Sequence, residues 1–295
     1  MAIDIRPLTK HIGGEVSGFD IRKPLSRAEV AAFDAGMDRH AVLVYHGPVI
    51  TDEEHLAFTL QFGPLQPAEG TNVTKPQDRR LDITFSDVSN VAKGGDLLER
   101  ANRRRLFSLA NRLWHSDASY RVVPAKYSLL SGRVVPDSGG NTEFANMCAA
   151  YDALDAVTKA EVEDLVCEHS LLYSRALIGI TEFSDEERKM FKPVLQRLVR
   201  THPGTGRKSL YLGSHIGNII GWPRPEALAF IRDLMEHATQ PEFVYSHKWR
   251  AGDLVIWDNR QTMHRVRRFD DLNQVRDVRR TTTKGDGPTV AQQAA

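Results

Sequence analysis

The chain has 295 residues, with 39 Lys and Arg against 38 Asp and Glu, a formal net charge of +1, 41% hydrophobic and 26% charged residues. These are ordinary globular values, long enough for a sizeable core, and the balanced charge gives no global reason to expect a nucleic-acid or membrane partner. No apolar run approaches the ~20 residues that cross a bilayer. The two cysteines, Cys148 and Cys167, are too few for a disulfide framework and lack zinc-type spacing, and the N-terminal segment has no secretory pattern, so a reducing cytoplasm is expected.

In chain order, Ser26 to Glu29 has the form of a capping box, which predicts a helix to about Arg39. Ala41–Tyr45 is a short β-branched run, expected as a strand. Thr51 to Glu54 is a second capping box, opening a helix that Gly63-Pro64 closes. Lys126–Val135 predicts a strand, Gly139-Gly140-Asn141 a turn, and Thr142–Asn146 another strand. Two helices follow, over Ala149–Leu154 and Asp155–Leu165. Tyr173–Pro193 has no single pattern and is open to an active-site lid. Pro225–Ala238 is an amphipathic helix with Pro in its first turn. Four strand signals come next, at Phe243–Trp249, Asp253–Trp257, Thr262–Arg268 and Arg276–Thr282, and residues from about 283 to 295 have the composition of a flexible tail. Late strands at roughly ten-residue spacing predict a mainly β sandwich or barrel with flanking helices, in one domain. No phosphate-binding glycine loop is present.

One local pattern points to a metal. His115-Ser116-Asp117 is the single His-x-acid pair among eleven histidines. If it lies on a strand or strand edge, both side chains point the same way. With 38 acidic residues in 295, about one such pair is expected by chance, so alone it is weak. His264, on a late strand with 146 residues between it and Asp117, can complete two imidazoles and one carboxylate. That is the facial donor set of a non-haem iron oxygenase, which leaves positions open for substrates. The competing reading of His264 is a hydrogen-bonded core histidine.

An anion site is suggested by the last strand, where period 2 puts Arg276, Val278 and Arg280 on one face and Asp277 and Arg279 on the other. Inward guanidiniums require anionic partners. Thr142, after the glycine turn, can add a hydroxyl. The alternative is an exposed edge strand whose arginines pair with Asp270, Asp271 and Asp277.

Together these segments resemble the taurine/2,4-dichlorophenoxyacetate dioxygenase family. The resemblance is carried by Asp20–Leu25, Phe62-Gly63-Pro64, Trp114-His115-Ser116-Asp117, Gly139 to Phe144, Thr201-His202-Pro203, Trp257-Asp258-Asn259 through His264, and Arg276 to Arg280. It is nearest the alpha-type members of the phenoxyacetate-degrading branch, through Ala149–Leu154 and His237–Tyr245. The resemblance implies a double-stranded β-helix (jelly roll), Fe(II) held by His115, Asp117 and His264, and 2-oxoglutarate held by Thr142 and Arg276 as co-substrate with O2. It further implies that a small organic anion docks on Arg280, assisted by the backbone amide of Ala118, with Lys75 and His215 as further pocket candidates. The implied reaction turns an aryloxyacetate into a phenol and glyoxylate, with succinate and CO2 from the co-substrate, in a homo-oligomeric enzyme. Two alternatives stay open: an alkyl sulfonate or sulfate as substrate, and a binding protein with a structural zinc.

Overall fold

The computed structural model describes residues 3–68 and 74–292. After the β1 (Asp4–Pro7) and β2 (Gly14–Ser17) hairpin, α1 (Arg27–His40) starts at Ser26, whose hydroxyl accepts from the Glu29 amide while the Glu29 carboxylate takes the Ser26 amide. Ala41, at φ 62, ends the helix and turns the chain into β3 (Val42–His46). A second reciprocal cap, Thr51 with Glu54, opens α2 (Asp52–Leu60). Then come β4 (Ser86–Asp87), α3 (Arg103–Ser108), β5 (Ala125–Val134), β6 (Thr142–Asn146), α4 (Met147–Asp152), α5 (Ala156–Val162) and β7 (Val166–His169). The segment without a single pattern holds two short helices, α6 (Leu171–Ala176) and α7 (Asp185–Met190). Strands β8 (Val194–Arg197), β9 (Val199–Thr201), β10 (Lys208–Leu210) and β11 (Ile216–Ile219) precede α8 (Arg224–Ala238). The chain closes with β12 (Val244–His247), β13 (Asp253–Asp258), β14 (Thr262–Val266) and β15 (Asp277–Lys284).

A seven-stranded sheet runs β1-β2-β3-β13-β5-β15-β4, antiparallel except for β2 with β3, and a three-stranded sheet runs β12-β6-β14. Alternation along β13 explains how the layers stack. Leu254 and Ile256 point outward under Phe33 and Met37 of α1 and Phe58 of α2. Val255 and Trp257 point inward, against Phe144 of β6. Phe33, Phe58 and Phe62 meet edge to face, with ring centroids 5.2–5.7 Å apart, and each buried Phe contributes ~1.5–3 kcal/mol. The result is the jelly roll that the family resemblance implied, consistent with the sandwich or barrel read from strand spacing, with helices on its outer face.

Two expectations need correction. The tail is not loose from residue 283. Thr283 is buried within β15, and Thr289 is buried as well, its hydroxyl donating to Gln196 Oε1 (2.6 Å) and accepting from the Arg197 amide (2.9 Å). Gly and Pro composition misled there because a few well-placed hydrogen bonds suffice to pin a short segment. The His115-Ser116-Asp117 segment is also not a strand. His115 makes a single bridge to His264, and Asp117 already belongs to a turn.

Candidate active site

That bridge fastens the two distant halves of the site. The His115 amide donates to the His264 carbonyl (3.0 Å), and the His264 amide to the His115 carbonyl (2.8 Å). Gly213, at φ 150, lies against the same backbone; a Cβ there would stand 3.2 Å from His115 Cα. Asp117 then sits in a turn whose next residue, Ala118, is left-handed (φ 56) and buried. Such a conformation costs a non-glycine residue ~1 kcal/mol and persists only where its surroundings enforce it.

The metal-binding atoms of His115, Asp117 and His264 all lie within 4.8 Å of one another. The two imidazole rings are 4.2 Å apart, and each Nε2 faces a different Asp117 oxygen, His115 at 3.9 Å and His264 at 3.8 Å. Both separations are too long for hydrogen bonds. The Leu113 carbonyl, 2.8 Å from His115 Nδ1, fixes the proton there and leaves the Nε2 lone pair aimed inward. Burial holds both imidazoles neutral: His264 is pushed well below its ordinary pKa, and His115 is lowered despite the opposing charge of Asp117. Burial alone would raise Asp117, but the Arg280 guanidinium and the Ser128 hydroxyl outweigh it and keep the carboxyl ionised. Two lone pairs and a carboxylate converging without bonding one another fit a divalent cation with open positions.

Asp117 is held from behind. Ser128 Oγ donates to its Oδ2 (2.7 Å), and Asn259 Oδ1 accepts its backbone amide (3.0 Å). Asn259 also donates to Ser128 Oγ (2.9 Å) and accepts from Trp257 Nε1 (3.1 Å). Neither Ser128 nor Asn259 was singled out as functional from sequence. Their inward register on β5 and at the end of β13 was the available signal.

Arg276 is 3% exposed, beside the rings of Trp249 and Phe269. Its guanidinium reaches only the Val88 carbonyl (3.4 Å), its Nε has no partner, and no carboxylate among the described residues pairs with it. Burial pushes its pKa down to about 10, which leaves it charged at neutral pH. The acids that could have made it an exposed-edge residue are engaged elsewhere, Asp271 by Arg105 and Arg112, Asp277 by Arg80 and Arg279. Thr142 Oγ1 accepts from Trp249 Nε1 (2.9 Å), so its own hydrogen is free to donate. A narrow cavity is lined by His115 and His264 as well as by Thr142, Arg276 and Arg280. Gly140, at φ 67, closes against Arg276, where a Cβ would meet its side chain at 3.5 Å.

Arg280 lines that cavity and a second, wider cleft that also reaches His115 and Asp117. Its Nη1 contacts Asp117 Oδ1, and its Nη2 lies 3.4 Å from Ser86 Oγ. His215 is buried in the wall of the same cleft, with Nδ1 3.0 Å from Ser119 Oγ and its ring edge-on to Tyr120 at 4.9 Å. Lys75 is not brought to the site: it is exposed and lines neither cavity. Arg175, inside the cleft wall, was missed because it lies in the stretch without periodicity.

Residues 4–282 match the family described as taurine catabolism dioxygenase TauD, TfdA family. The chain belongs to that family. As a TauD/TfdA member it is an enzyme, an alpha-ketoglutarate-dependent dioxygenase, which sets aside the zinc-binding protein. It is 42% identical over 286 residues to the alpha-ketoglutarate-dependent 2,4-dichlorophenoxyacetate dioxygenase of Cupriavidus pinatubonensis, covering 97% of this chain and 99% of that one. An alkylsulfatase of Acinetobacter baylyi is more distant, 30% identical with 98% and 87% covered. The crystal structure of AAD-2 in complex with Mn(II) and N-oxalylglycine superposes with a TM-score of 0.95 at 60% identity, over 98% of this chain and 100% of that one. No helix among the described residues is long and apolar enough to cross a membrane.

Proposed function

We propose that this family member uses Fe(II), 2-oxoglutarate and O2 to hydroxylate an aryloxyacetate such as 2,4-dichlorophenoxyacetate, at the carbon between the ether oxygen and the carboxylate. One observation carries the reading: two cavities share the His115 and Arg280 side chains, one reaching Arg276, which has no carboxylate partner among the described residues, and the other lined by Asp117 with Phe85, Phe107 and Leu171. The first suits a small dicarboxylate, the second an aromatic anion. The relatives support the same assignment. N-Oxalylglycine, bound by AAD-2, is 2-oxoglutarate with NH in place of one CH2.

In this reading His115, Asp117 and His264 hold ferrous iron, which when bound would supply the oxygen activation that side chains lack. Asn259 and Ser128 keep Asp117 turned toward it. Arg276 and the Thr142 hydroxyl take the distal carboxylate of 2-oxoglutarate, neutralising a guanidinium otherwise buried without a counter-ion. Arg280, assisted by the Ala118 amide, takes the substrate carboxylate and so decides which carbon faces the metal. Hydroxylation there gives a hemiacetal. Breaking the bond between that carbon and the ether oxygen, with the hydroxyl proton passing to the departing aryl oxygen, yields a phenol and glyoxylate. His215, neutral and buried in the wall of the same cleft, is assigned in this reading to contact the ether oxygen.

The reading also has the chain work as one domain, supported by a family match from residue 4 to residue 282, within a homo-oligomer. A cytoplasmic location is supported by Cys148 and Cys167, both free and buried. The test is a panel of aryloxyacetates, alkyl sulfonates and alkyl sulfates under Fe(II), ascorbate and 2-oxoglutarate. Phenol should appear from the aryloxyacetates, in step with succinate. Sulfite or sulfate as the dominant product instead would overturn the substrate assignment.

A further inference from the structure

Among the described residues, the larger cleft is lined by five arginines against two aspartates. Both aspartates are spoken for. Asp87 is bound by Arg80 (2.9 Å) and Arg104 (3.0 Å), and Asp117 by Arg280. Arg175, in the last turn of α6, is different. It is 7% exposed, its Nη1 donates to the neighbouring Ser174 hydroxyl (2.9 Å), and its guanidinium lies 4.2 Å from the Phe107 ring. Its Nε is buried with no partner, and no carboxylate among the described residues is within ion-pairing distance. Burial lowers its pKa only to about 10, so the charge persists at neutral pH. The Arg175 carbonyl accepts from both Ile178 (3.1 Å) and Ile180 (3.0 Å), which pins the end of α6 and with it the origin of the side chain. A buried cation without a counter-ion is costly, and its neighbours offer no anion to relieve it.

Arg280 gives its Nη1 to Asp117, so only its Nε and Nη2 are left for an incoming anion. A carboxylate presents two oxygens and binds best to paired donors. We infer that Arg175 is the second guanidinium of the substrate site, sharing the substrate's carboxylate with Arg280 and thereby making the cleft selective for anions over neutral analogues. This rests on the aryloxyacetate reading for the identity of the anion. It does not rest on that reading for the need of one.

The experiment compares the iron-loaded wild type with R175M, which removes the charge but keeps much of the side-chain length, and with R175K. Phenol release is followed with 2,4-dichlorophenoxyacetate and with its neutral amide. R175M should raise the KM for the acid by about ten-fold or more, with a much smaller change in kcat. It should narrow the preference for acid over amide by a similar factor, and R175K should recover part of the loss. The KM for 2-oxoglutarate should stay within about two-fold, which a general loss of structure would not allow. An unchanged acid KM and acid-to-amide ratio would overturn the inference, and so would a parallel rise in the KM for 2-oxoglutarate. If R175M does not fold, R175K carries the test, since lysine keeps the charge but not the fork; an acid KM equal to that of the wild type would then overturn it. A wild type that releases no phenol sinks the aryloxyacetate reading alone. The same variants are then scored on whichever sulfate ester or sulfonate drives succinate formation, and an unaltered KM there overturns the role of Arg175.

Discussion

Asn259 touches Asp117 by two routes, directly through its side-chain oxygen, which accepts from the Asp117 backbone amide, and indirectly through Ser128. Removing such an outer partner costs a metal site about 10–100-fold in affinity. Asn259→Ala should therefore weaken Mn(II) binding by that order, measured by calorimetric titration, while the fold persists. The two inward arginines divide their labour. Arg276→Ala should raise the KM for 2-oxoglutarate strongly and the KM for substrate little, and Arg280→Ala should do the reverse; equal effects on both would contradict the division. At this scale the sequence was informative where chemistry sits in a local pattern, as at His115 and Asp117, or in a two-residue period, as at Arg276 and Arg280. It was silent on Arg175 and Asn259. Their significance comes from what other elements place beside them, the Phe107 ring in one case and the Asp117 amide in the other.

At the scale of elements, capping chemistry was the most dependable guide. The boxes at Ser26 and Thr51 open α1 and α2 as expected, and the same signature at Ser184 with Glu187 opens α7. That third box was in the sequence but lacked an apolar stripe to support it, the helix burying none of its residues. The four-residue strands β1 and β2 were missed for a related reason: both are too short for a period to register, and β1 is largely solvent-facing. The glycine turn before β6 makes a sharp prediction. Gly139 sits at φ 73, and a Cβ there would stand 2.4 Å from the Arg268 carbonyl oxygen. Gly139→Ala should cost ~1–3 kcal/mol and, by moving the turn that carries Gly140 and Thr142, weaken 2-oxoglutarate binding as well. Thermal unfolding with and without saturating co-substrate measures both effects.

Across the whole molecule, the jelly roll brings neutral imidazoles into its interior, and this sets a pH dependence. His55, held between the hydroxyls of Ser131 (3.1 Å) and Thr281 (3.0 Å), and His169 both have pKa values lowered to about 3 by burial. Below the ordinary value of 6.5, the unfolded chain takes up a proton at each position that the folded chain refuses. Stability is thus full above pH 6.5 and falls as the pH drops toward 3, by up to ~1.4 kcal/mol per pH unit for each group. Urea midpoints of the metal-free protein should be lower at pH 5 than at pH 7.5, and a flat profile would contradict the burial of these rings as neutral species. A mainly β sandwich or barrel with flanking helices was legible from strand spacing, and the jelly roll from the family resemblance. Which strands become neighbours was not, because the β3-β13-β5-β15 order depends on pairings between segments more than a hundred residues apart. The same long-range pairing brings His264 to His115, and the metal site depends on it. Anaerobic titration of Fe(II) into the wild type and His264→Ala tests this most directly. One ion per chain in the wild type, with affinity lowered by about 100-fold or more in the variant, is the predicted result; equal binding by both would contradict it.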